Sequence, residues 1–249
     1  RRALAANSAD DYIRYFADPD APDPDSLAAL AKADPRDFIL RYQLGEYYYS
    51  LGEVESAKQW YAQVARLEPD HALAWFQLGV CADQQGRAAE SERYFAKALE
   101  INPASPQTMV NLGLIRYRAG DFSAAEDYFG RAIAASPDYG AALFNMANLR
   151  LRRGQKQDAE DMYRETIRRD PFNPLAALNL GTLLLNRGEH AGAIKLFERT
   201  VQLAPGLLQG YSNLAVAYDK MGDAKSAEKY RSILSSLHSG AGGRPAPSR

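Results

Sequence analysis

The apolar residues between Pro106 and Pro137 follow two runs of helical spacing, one on each side of Gly120. Each run predicts an amphipathic helix. Gly120 comes after the last turn of the first helix, where a left-handed residue is common and glycine adopts that conformation at the lowest cost. Pro137 predicts the end of the second helix, because proline has no N–H to donate and restricts Ser136 before it. The stretch therefore predicts a helical hairpin.

The positions that define this hairpin recur along the chain at intervals of 34 residues. A large aliphatic residue precedes a small one at Leu44 and Gly45, Leu78 and Gly79, Leu112 and Gly113, Met146 and Ala147, Leu180 and Gly181, and Leu214 and Ala215. Glycine recurs at Gly52, Gly86, Gly120, Gly154, Gly188 and Gly222. A small residue precedes an aromatic one by four at Ala57 and Tyr61, Ser91 and Phe95, Ala125 and Phe129, Ala159 and Tyr163, and Ala193 and Phe197. Proline closes the unit at Pro69, Pro103, Pro137, Pro171 and Pro205.

These recurring residues resemble the tetratricopeptide-repeat pattern, W-x2-L-G-x2-Y, A-x3-F and P, at its 34-residue period. The resemblance covers roughly four fifths of the chain. It implies an all-α fold, a right-handed α-solenoid of helix-turn-helix repeats, in a family of scaffolds with many different partners. Small residues such as Ala125 let paired helices approach closely, so a larger side chain there is expected to cost roughly 1–3 kcal/mol by overpacking.

The repeat register divides the chain into three parts. Residues 1–36 predict a degenerate N-terminal helical cap, since terminal repeats are usually atypical. Residues 37–238 hold six repeats, and residues 239–249 have the composition of a disordered tail. The repeats are predicted at 38–71, 72–105, 106–139, 140–173, 174–207 and 208–238.

Within the cap, apolar residues predict helices over Asp11–Ala17 and Ser26–Ala33. The segment between them, Asp18–Asp25, alternates carboxylates with proline and alanine. Four closely spaced aspartates raise the alternative of a calcium site, but the segment lacks the glycine and the final glutamate of an EF-hand loop. The sequence therefore favours an acidic connector. The four aspartates are Asp18, Asp20, Asp23 and Asp25.

The composition narrows the function classes. Lys and Arg number 30 against 31 Asp and Glu, a balance that argues against a dedicated nucleic-acid or anionic-membrane binder. The single cysteine, Cys81, excludes an internal disulfide and is expected to be a small buried residue. No apolar run reaches the roughly 18 residues of a membrane-spanning helix.

The chain begins with Arg1 and Arg2 in place of methionine, which leaves open a removed signal peptide, anchor or neighbouring domain. A cytoplasmic and a periplasmic location both stay open. The Ala- and Arg-rich composition indicates a bacterial source.

The residues predict no enzyme, no cofactor and no metal site. The three histidines, His71, His190 and His238, do not occur at metal-ligand spacing, and neither a phosphate-binding loop nor a nucleophile elbow is present.

The resemblance implies that the first helix of each repeat lines a concave groove. One row on these helices stands just before the recurring leucine, at Gln43, Gln77, Asn111, Asn145, Asn179 and Asn213. It is similar to the asparagine ladder of the O-GlcNAc transferase superhelix. A carboxamide carries a donor and an acceptor, so it can pair with the N–H and C=O of a bound peptide. The alternative is that these amides satisfy groups of neighbouring helices.

The row one residue earlier includes Tyr42, Phe76 and Phe144, and predicts an apolar groove floor or, alternatively, part of the core between repeats. Asn148 stands one turn beyond Phe144. A clamp for a C-terminal carboxylate, which some relatives carry, is disfavoured because its three cationic positions hold Phe144, Gln209 and Asn213 here.

A basic cluster at the ends of two first helices is the remaining candidate site. It predicts contact with an acidic partner segment or with a nucleic acid or, alternatively, solvated helix ends, where cations are favourable. The cluster comprises Arg116, Arg118, Arg150, Arg152, Arg153 and Lys156.

Taken together, these features predict a protein-interaction scaffold whose groove holds an extended or helical segment of a partner. Two alternatives stay open. The chain could self-associate as a structural or assembly component of a bacterial envelope or secretion complex, or form the non-catalytic half of a larger enzyme such as a glycosyltransferase.

Overall fold

The computed structural model describes residues 24–34 and 36–241, and every regular element in these ranges is an α-helix. This confirms the predicted all-α class. The helices are α1 (Pro24–Ala33), α2 (Phe38–Ser50), α3 (Val54–Leu67), α4 (Ala72–Gln84), α5 (Ala88–Ile101), α6 (Pro106–Arg118), α7 (Phe122–Ala135), α8 (Gly140–Arg152), α9 (Lys156–Arg169), α10 (Pro174–Arg187), α11 (His190–Leu203), α12 (Leu208–Lys220) and α13 (Ala224–Ala241).

The chain divides into two compact units, Arg1–Asp121 (unit 1) and Phe122–Arg249 (unit 2). The described part of unit 1 holds α1 to α6, and that of unit 2 holds α7 to α13. The boundary between the units falls inside the third predicted repeat, between its two helices. The compact units and the repeats therefore do not share this boundary.

Within each unit, consecutive helices pack as hairpins. The pairs are α2 with α3 and α4 with α5 in unit 1, and α8 with α9, α10 with α11 and α12 with α13 in unit 2. Each hairpin also contacts the next one in its unit, through α3 with α4 or α9 with α10, for example. The first helix of every predicted repeat begins at the first residue of that repeat. The helices therefore follow the 34-residue register of the sequence.

A glycine with positive φ follows the first helix of every predicted repeat. Gly120 has φ +79° and Gly188 has φ +89°, the left-handed region that other residues adopt only with strain. A Cβ atom at either position would meet nothing within 4 Å, so the backbone angle, and not the available space, requires glycine there. The prediction of a left-handed residue after the first helix is confirmed.

The two helices of a hairpin approach closely where a small residue faces an aromatic ring. A Cβ atom added to Gly79 on α4 would lie 2.6 Å from the ring of Phe95 on α5, which is fully buried. On the same hairpin, the Ser91 hydroxyl donates a hydrogen bond of 2.8 Å to the Gly79 carbonyl oxygen. Cys81 is buried on α4, as the sequence predicted.

Helix α1 is attached to unit 1 through a buried arginine. Arg41 on α2 occupies the position where the repeat pattern has tryptophan, and its guanidinium donates to the carbonyl oxygens of Ala31, Asp34 and Asp37. Cations are favourable at the C-terminal end of a helix, so these bonds hold the end of α1 against α2. Leu27 and Ala31 pack on Leu44 beside them.

The ends of the chain differ from the predicted boundaries. Helix α1 begins at Pro24, inside the predicted connector, because proline is well tolerated at the first helical position. Helix α13 continues to Ala241, so the first three residues of the predicted tail are helical. Two consecutive glycines come only after that point, at Gly242 and Gly243. Three predicted features lie outside the described residues. They are the helix over Asp11–Ala17, the connector residues Asp18, Asp20 and Asp23, and the part of the tail at residues 242–249.

Candidate functional site

The predicted polar row divides between the two units. In unit 1 it comprises Gln43, Gln77 and Asn111, and in unit 2 it comprises Asn145, Asn179 and Asn213, all of them half-buried. We call the side of α2, α4 and α6 that carries the first set the first-helix face of unit 1. The side of α8, α10 and α12 that carries the second set is the first-helix face of unit 2.

Two asparagines of the row bond only to their own helix. The Asn111 side-chain nitrogen donates to the carbonyl oxygen of Gln107 at 2.9 Å, and that of Asn145 donates to the carbonyl oxygen of Ala141 at 2.8 Å. Neither amide oxygen accepts a hydrogen bond from any residue in the described part of the chain. A bound peptide N–H is the kind of donor that these two oxygens can accept.

A third member of the row, Asn179, belongs to a hydrogen-bonded network within the protein. In unit 2 the Asn179 nitrogen donates to Asn148 Oδ1 at 3.0 Å and to the Tyr163 hydroxyl at 3.2 Å, and that hydroxyl donates to Asn148 Oδ1 at 2.6 Å. Asn148 and Tyr163 belong to the preceding hairpin. This arrangement matches the alternative in which the amides satisfy neighbouring helices.

The equivalent network in unit 1 has a carboxylate in place of Asn148. Glu46 Oε1 accepts from the Tyr61 hydroxyl at 2.5 Å and from Gln77 Nε2 at 2.7 Å. Burial, and then the negative charge of Glu46, raise the pKa of Tyr61 far above its ordinary value, so Tyr61 is the donor. Glu46 is half-buried and forms no ion pair with a described residue.

The residue 31 positions earlier decides how each amide is engaged. Asn213 donates weakly to Thr182 Oγ1 at 3.3 Å, as Gln77 donates to Glu46. For Asn111 that position holds Val80, which offers no acceptor, and the amide turns to its own helix.

The apolar row packs partly into the hairpins. The rings of Tyr42 and Tyr61 lie 5.5 Å apart between centroids, and those of Phe76 and Phe95 lie 5.4 Å apart. Phe144 contacts a second-helix ring at 6.1 Å in the same way. Each of these three first-helix rings stays half-buried.

A cavity of about 250 Å³ opens beside Phe76 on unit 1. Leu73 and Phe76 of α4 form one side of it, and Gln107 and Thr108 of α6 form the other. Leu73 is 58% exposed although it is a large aliphatic residue. Leu73 was not among the predicted site residues. The sequence signal that could have indicated it is the repeat register, which places three exposed residues, Ile39, Leu73 and Leu175, at the same position of their repeats.

Most of the basic cluster is paired with carboxylates. Arg118 forms an ion pair of 2.7 Å with Asp83 in unit 1, and Arg116 pairs with Glu92. In unit 2, Arg150 pairs with Glu126 at 2.5 Å, and Arg153 pairs with the same carboxylate. Arg152 and Lys156 are exposed. Four of the six cations therefore have carboxylate partners within the chain, an arrangement that neither predicted alternative included.

The next repeat carries the most buried carboxylate of this kind. Glu160 is 4% exposed and accepts from Arg187 at 2.7 Å and from Arg164. Burial opposes its ionisation, but the hydrogen bonds from Arg187 and Arg164 outweigh burial and hold the pKa of Glu160 below its ordinary value.

The histidines and the cysteine are dispersed. His71 caps α4, with Nδ1 accepting from the Ala74 N–H at 3.1 Å, and burial raises the pKa of the Cys81 thiol to about 12. Within residues 24–34 and 36–241, no three His, Cys, Asp or Glu side chains are grouped so that they could hold a metal ion. None of the helices in these ranges combines the length and apolar character needed to cross a membrane.

Helical hairpins in a 34-residue register, with polar and apolar rows on their first helices, define a class of helical repeat proteins. Tetratricopeptide-repeat family models match residues 40–71, 70–138, 110–174 and 144–207. The chain belongs to the tetratricopeptide-repeat family. A search of curated protein sequences found no match.

Several solved structures share the fold. PilF of Pseudomonas aeruginosa is 20% identical, with a TM-score of 0.73, and the alignment covers 83% of this chain and 95% of PilF. PilW, described as a type IV pilus biogenesis factor, is 20% identical with a TM-score of 0.69, over 80% of this chain and 92% of PilW. YrrB, described as having an unusual peptide-binding site, is 17% identical with a TM-score of 0.55, over 76% of this chain and 97% of YrrB. These likenesses establish the helical-repeat fold.

Proposed function

We propose that this chain is a non-enzymatic scaffold that binds a segment of a partner protein on its first-helix faces. Family membership supports the general role, because tetratricopeptide arrays present extended surfaces for protein partners. One observation supports the location. On unit 1, Asn111 bonds to the backbone of Gln107, and Gln107 lines the cavity beside Phe76.

This arrangement suits an extended peptide. The cavity has apolar walls at Leu73 and Phe76 and takes one aliphatic or aromatic side chain. Asn111 is hydrogen-bonded to Gln107, which lines the cavity. The side-chain oxygen of Asn111 can therefore accept a hydrogen bond from the N–H of a peptide whose side chain fills the cavity. Each such hydrogen bond contributes roughly 0.5–1.5 kcal/mol, so contacts at several repeats are needed for firm binding.

The experiment compares two exposed leucines of unit 1. Leu73 is 58% exposed and lines the cavity, whereas Leu51 is 54% exposed and lies in the turn between α2 and α3. Leu73→Gln and Leu51→Gln therefore remove similar apolar surface at different places. Affinity capture from the native lysate is carried out with the unchanged chain and both variants, after circular dichroism has confirmed equal helicity. We expect Leu73→Gln alone to lose a captured protein.

Capture of the same proteins by all three chains would reject the face of unit 1 as the binding site. In that case the amide row of unit 2 is tested in the same way. Asn145→Ala removes an amide whose oxygen accepts from no described residue, and Gln202→Ala on α11, an exposed position, is its control.

Self-association is a second candidate, and one observation favours it. Phe172 of unit 2 is 79% exposed, which is unusual for a phenylalanine, and Leu175 three residues later is 43% exposed. Sedimentation equilibrium over a concentration series tests this candidate. A monomer at every concentration excludes it, and dimers that Phe172→Ser removes support it.

A further inference from the structure

Glu46 is a carboxylate on the first-helix face of unit 1 whose described hydrogen-bond partners are both neutral. The Tyr61 hydroxyl and Gln77 Nε2 donate to a single oxygen, Oε1. Glu92, Glu126 and Glu160 of the later repeats all form ion pairs with arginine. Glu46 has no such cation in the described part of the chain. A half-buried carboxylate without a counter-charge is a site where a cation binds favourably.

Aromatic rings flank this carboxylate along α2. Tyr42 precedes Glu46 by four residues and Tyr49 follows it by three, so both lie on the same side of the helix as Glu46. Burial, together with the negative charge of Glu46, raises the pKa of Tyr49 above its ordinary value. Rings beside a carboxylate favour the head group of lysine or arginine, since the ring faces attract a cation and pack against its aliphatic stem.

The carboxylate is connected to the cavity described above. Gln77, which donates to Glu46, follows Leu73 by four residues on α4, so it lies on the same side of the helix as Leu73, which lines the cavity. A cationic site and an apolar site thus lie on neighbouring positions of the same face. One short segment of a partner can occupy both.

Unit 2 provides a natural comparison for this site. We call the three hydrogen-bonded residues Glu46, Tyr61 and Gln77 the frame of unit 1. The frame of unit 2 consists of Asn148, Tyr163 and Asn179, and has an amide in place of the carboxylate. The frame therefore forms without a charge at its centre. The carboxylate of unit 1 is consequently available for a role other than holding the hairpins together.

We propose that the first-helix face of unit 1 selects a partner segment that carries a lysine or arginine next to an aliphatic or aromatic residue. The cationic head group pairs with Glu46 between Tyr42 and Tyr49, and the apolar side chain enters the cavity beside Phe76. This inference rests on the proposed function and names the chemistry of its ligand.

The test uses a phage-displayed library of random peptides, selected in parallel on the full chain and on two variants. Glu46→Gln removes the charge but keeps a side-chain oxygen that accepts from Tyr61 and Gln77, so the frame is retained. Glu68→Gln removes an equal charge at an exposed position after α3 and is the matched control. Thermal unfolding followed by circular dichroism verifies that all three chains are equally folded.

We expect the unchanged chain and Glu68→Gln to enrich peptides in which Lys or Arg accompanies an apolar residue at constant spacing. Glu46→Gln is expected to enrich apolar peptides without the basic residue. In a selected peptide, replacing lysine by norleucine is expected to weaken binding to the unchanged chain about tenfold and to leave binding to Glu46→Gln unaltered.

The other outcomes separate the two proposals. Peptides that lack a basic preference, or a basic preference that Glu46→Gln retains, overturn the role of Glu46 and leave the binding face intact. Failure of all three chains to enrich any peptide overturns the proposed function, and this inference with it.

Discussion

The same three-residue frame occurs in both units, with a carboxylate at its centre in unit 1 and an amide in unit 2. Glu46, Tyr61 and Gln77 form the first frame, and Asn148, Tyr163 and Asn179 form the second. Tyrosine donates to the central oxygen in both, and so does the amide of the following repeat. The comparison indicates that these hydrogen bonds join the hairpins in both units, whether the central group is a carboxylate or a neutral amide.

The packing beneath the two frames also differs, and this difference leads to the largest expected effect. Gly45 lies under Tyr61, and a Cβ atom there would be 2.5 Å from the ring, whereas Ala147 lies at the same repeat position beside Tyr163 in the core of unit 2. We expect Gly45→Ala to lower the free energy of unfolding by about 1–3 kcal/mol, because the buried ring must move. Ala147→Gly is expected to cost only about 0.5–1 kcal/mol.

Urea unfolding followed by circular dichroism measures both variants. A Gly45→Ala variant as stable as the unchanged chain would show that the ring of Tyr61 has room for the added methyl group.

The next largest expected loss of stability follows from removing the central hydrogen-bond acceptor of the frame in unit 2. Asn148→Leu leaves the Tyr163 hydroxyl and the Asn179 amide without their shared oxygen. We expect a loss of about 1–2 kcal/mol in the free energy of unfolding, the usual cost of unmade hydrogen bonds at half-buried groups. Asn186→Leu, an exposed change on α10, is the control, and thermal melts compare the two. A melting temperature of Asn148→Leu equal to that of the control would contradict the stabilising role of the frame.

The contribution that a carboxylate with arginine partners makes to stability should depend on pH. The pKa of Glu160 is lowered in the folded chain, so its contribution to stability is complete above the unfolded pKa, near 4.3, and is lost as the pH falls through the folded value. We expect Glu160→Gln to cost about 1 kcal/mol near neutral pH, because Arg164 and Arg187 are partly exposed and solvent screens the pairs.

Urea titrations of the unchanged chain and of Glu160→Gln, at neutral pH and near pH 3, provide the measurement. The difference in stability should shrink in acid. A difference that stays constant with pH would mean that the ionised form of Glu160 is not what stabilises unit 2.

The smallest expected change in stability belongs to Glu46→Gln. Because glutamine retains the acceptor for Tyr61 and Gln77, we expect a change below about 0.5 kcal/mol in the free energy of unfolding. Differential scanning calorimetry is suitable for this comparison. A large destabilisation would show that the charge of Glu46 supports the frame, and that the two frames differ in stability as well as in ligand chemistry.

Much of the fold was accessible from the sequence because its causes are local. Gly120 and Gly188 have the predicted left-handed angle, since a turn directly after a helix requires it whatever surrounds it. The contact between Gly79 and Phe95 was also predictable, because every hairpin brings the same two repeat positions together. The start of α1 at Pro24 was not predictable, since the weak apolar periodicity of the cap does not mark the boundary of the helix.

The candidate site was predicted less well, because its features depend on contacts between repeats. The polar row was expected to act as one ladder. The structure instead engages Asn179 with Asn148 and directs Asn111 to its own helix, according to the residue that the preceding hairpin presents. Glu46 was missed, since an unpaired charge is not visible before the neighbouring side chains are placed. Leu73 was missed although the repeat register aligns it with Ile39 and Leu175.

The sequence by itself determined where each hairpin begins, where it turns and which residues face inward, because these follow from helical spacing, glycine and proline along a single chain segment. Only the tertiary structure decided which amides are already hydrogen-bonded, which cations are paired and which carboxylate lacks a cation. The physical reason is that these hydrogen bonds, 31 residues apart, and ion pairs, 24 to 35 residues apart, join side chains on separate hairpins and depend on their packed positions.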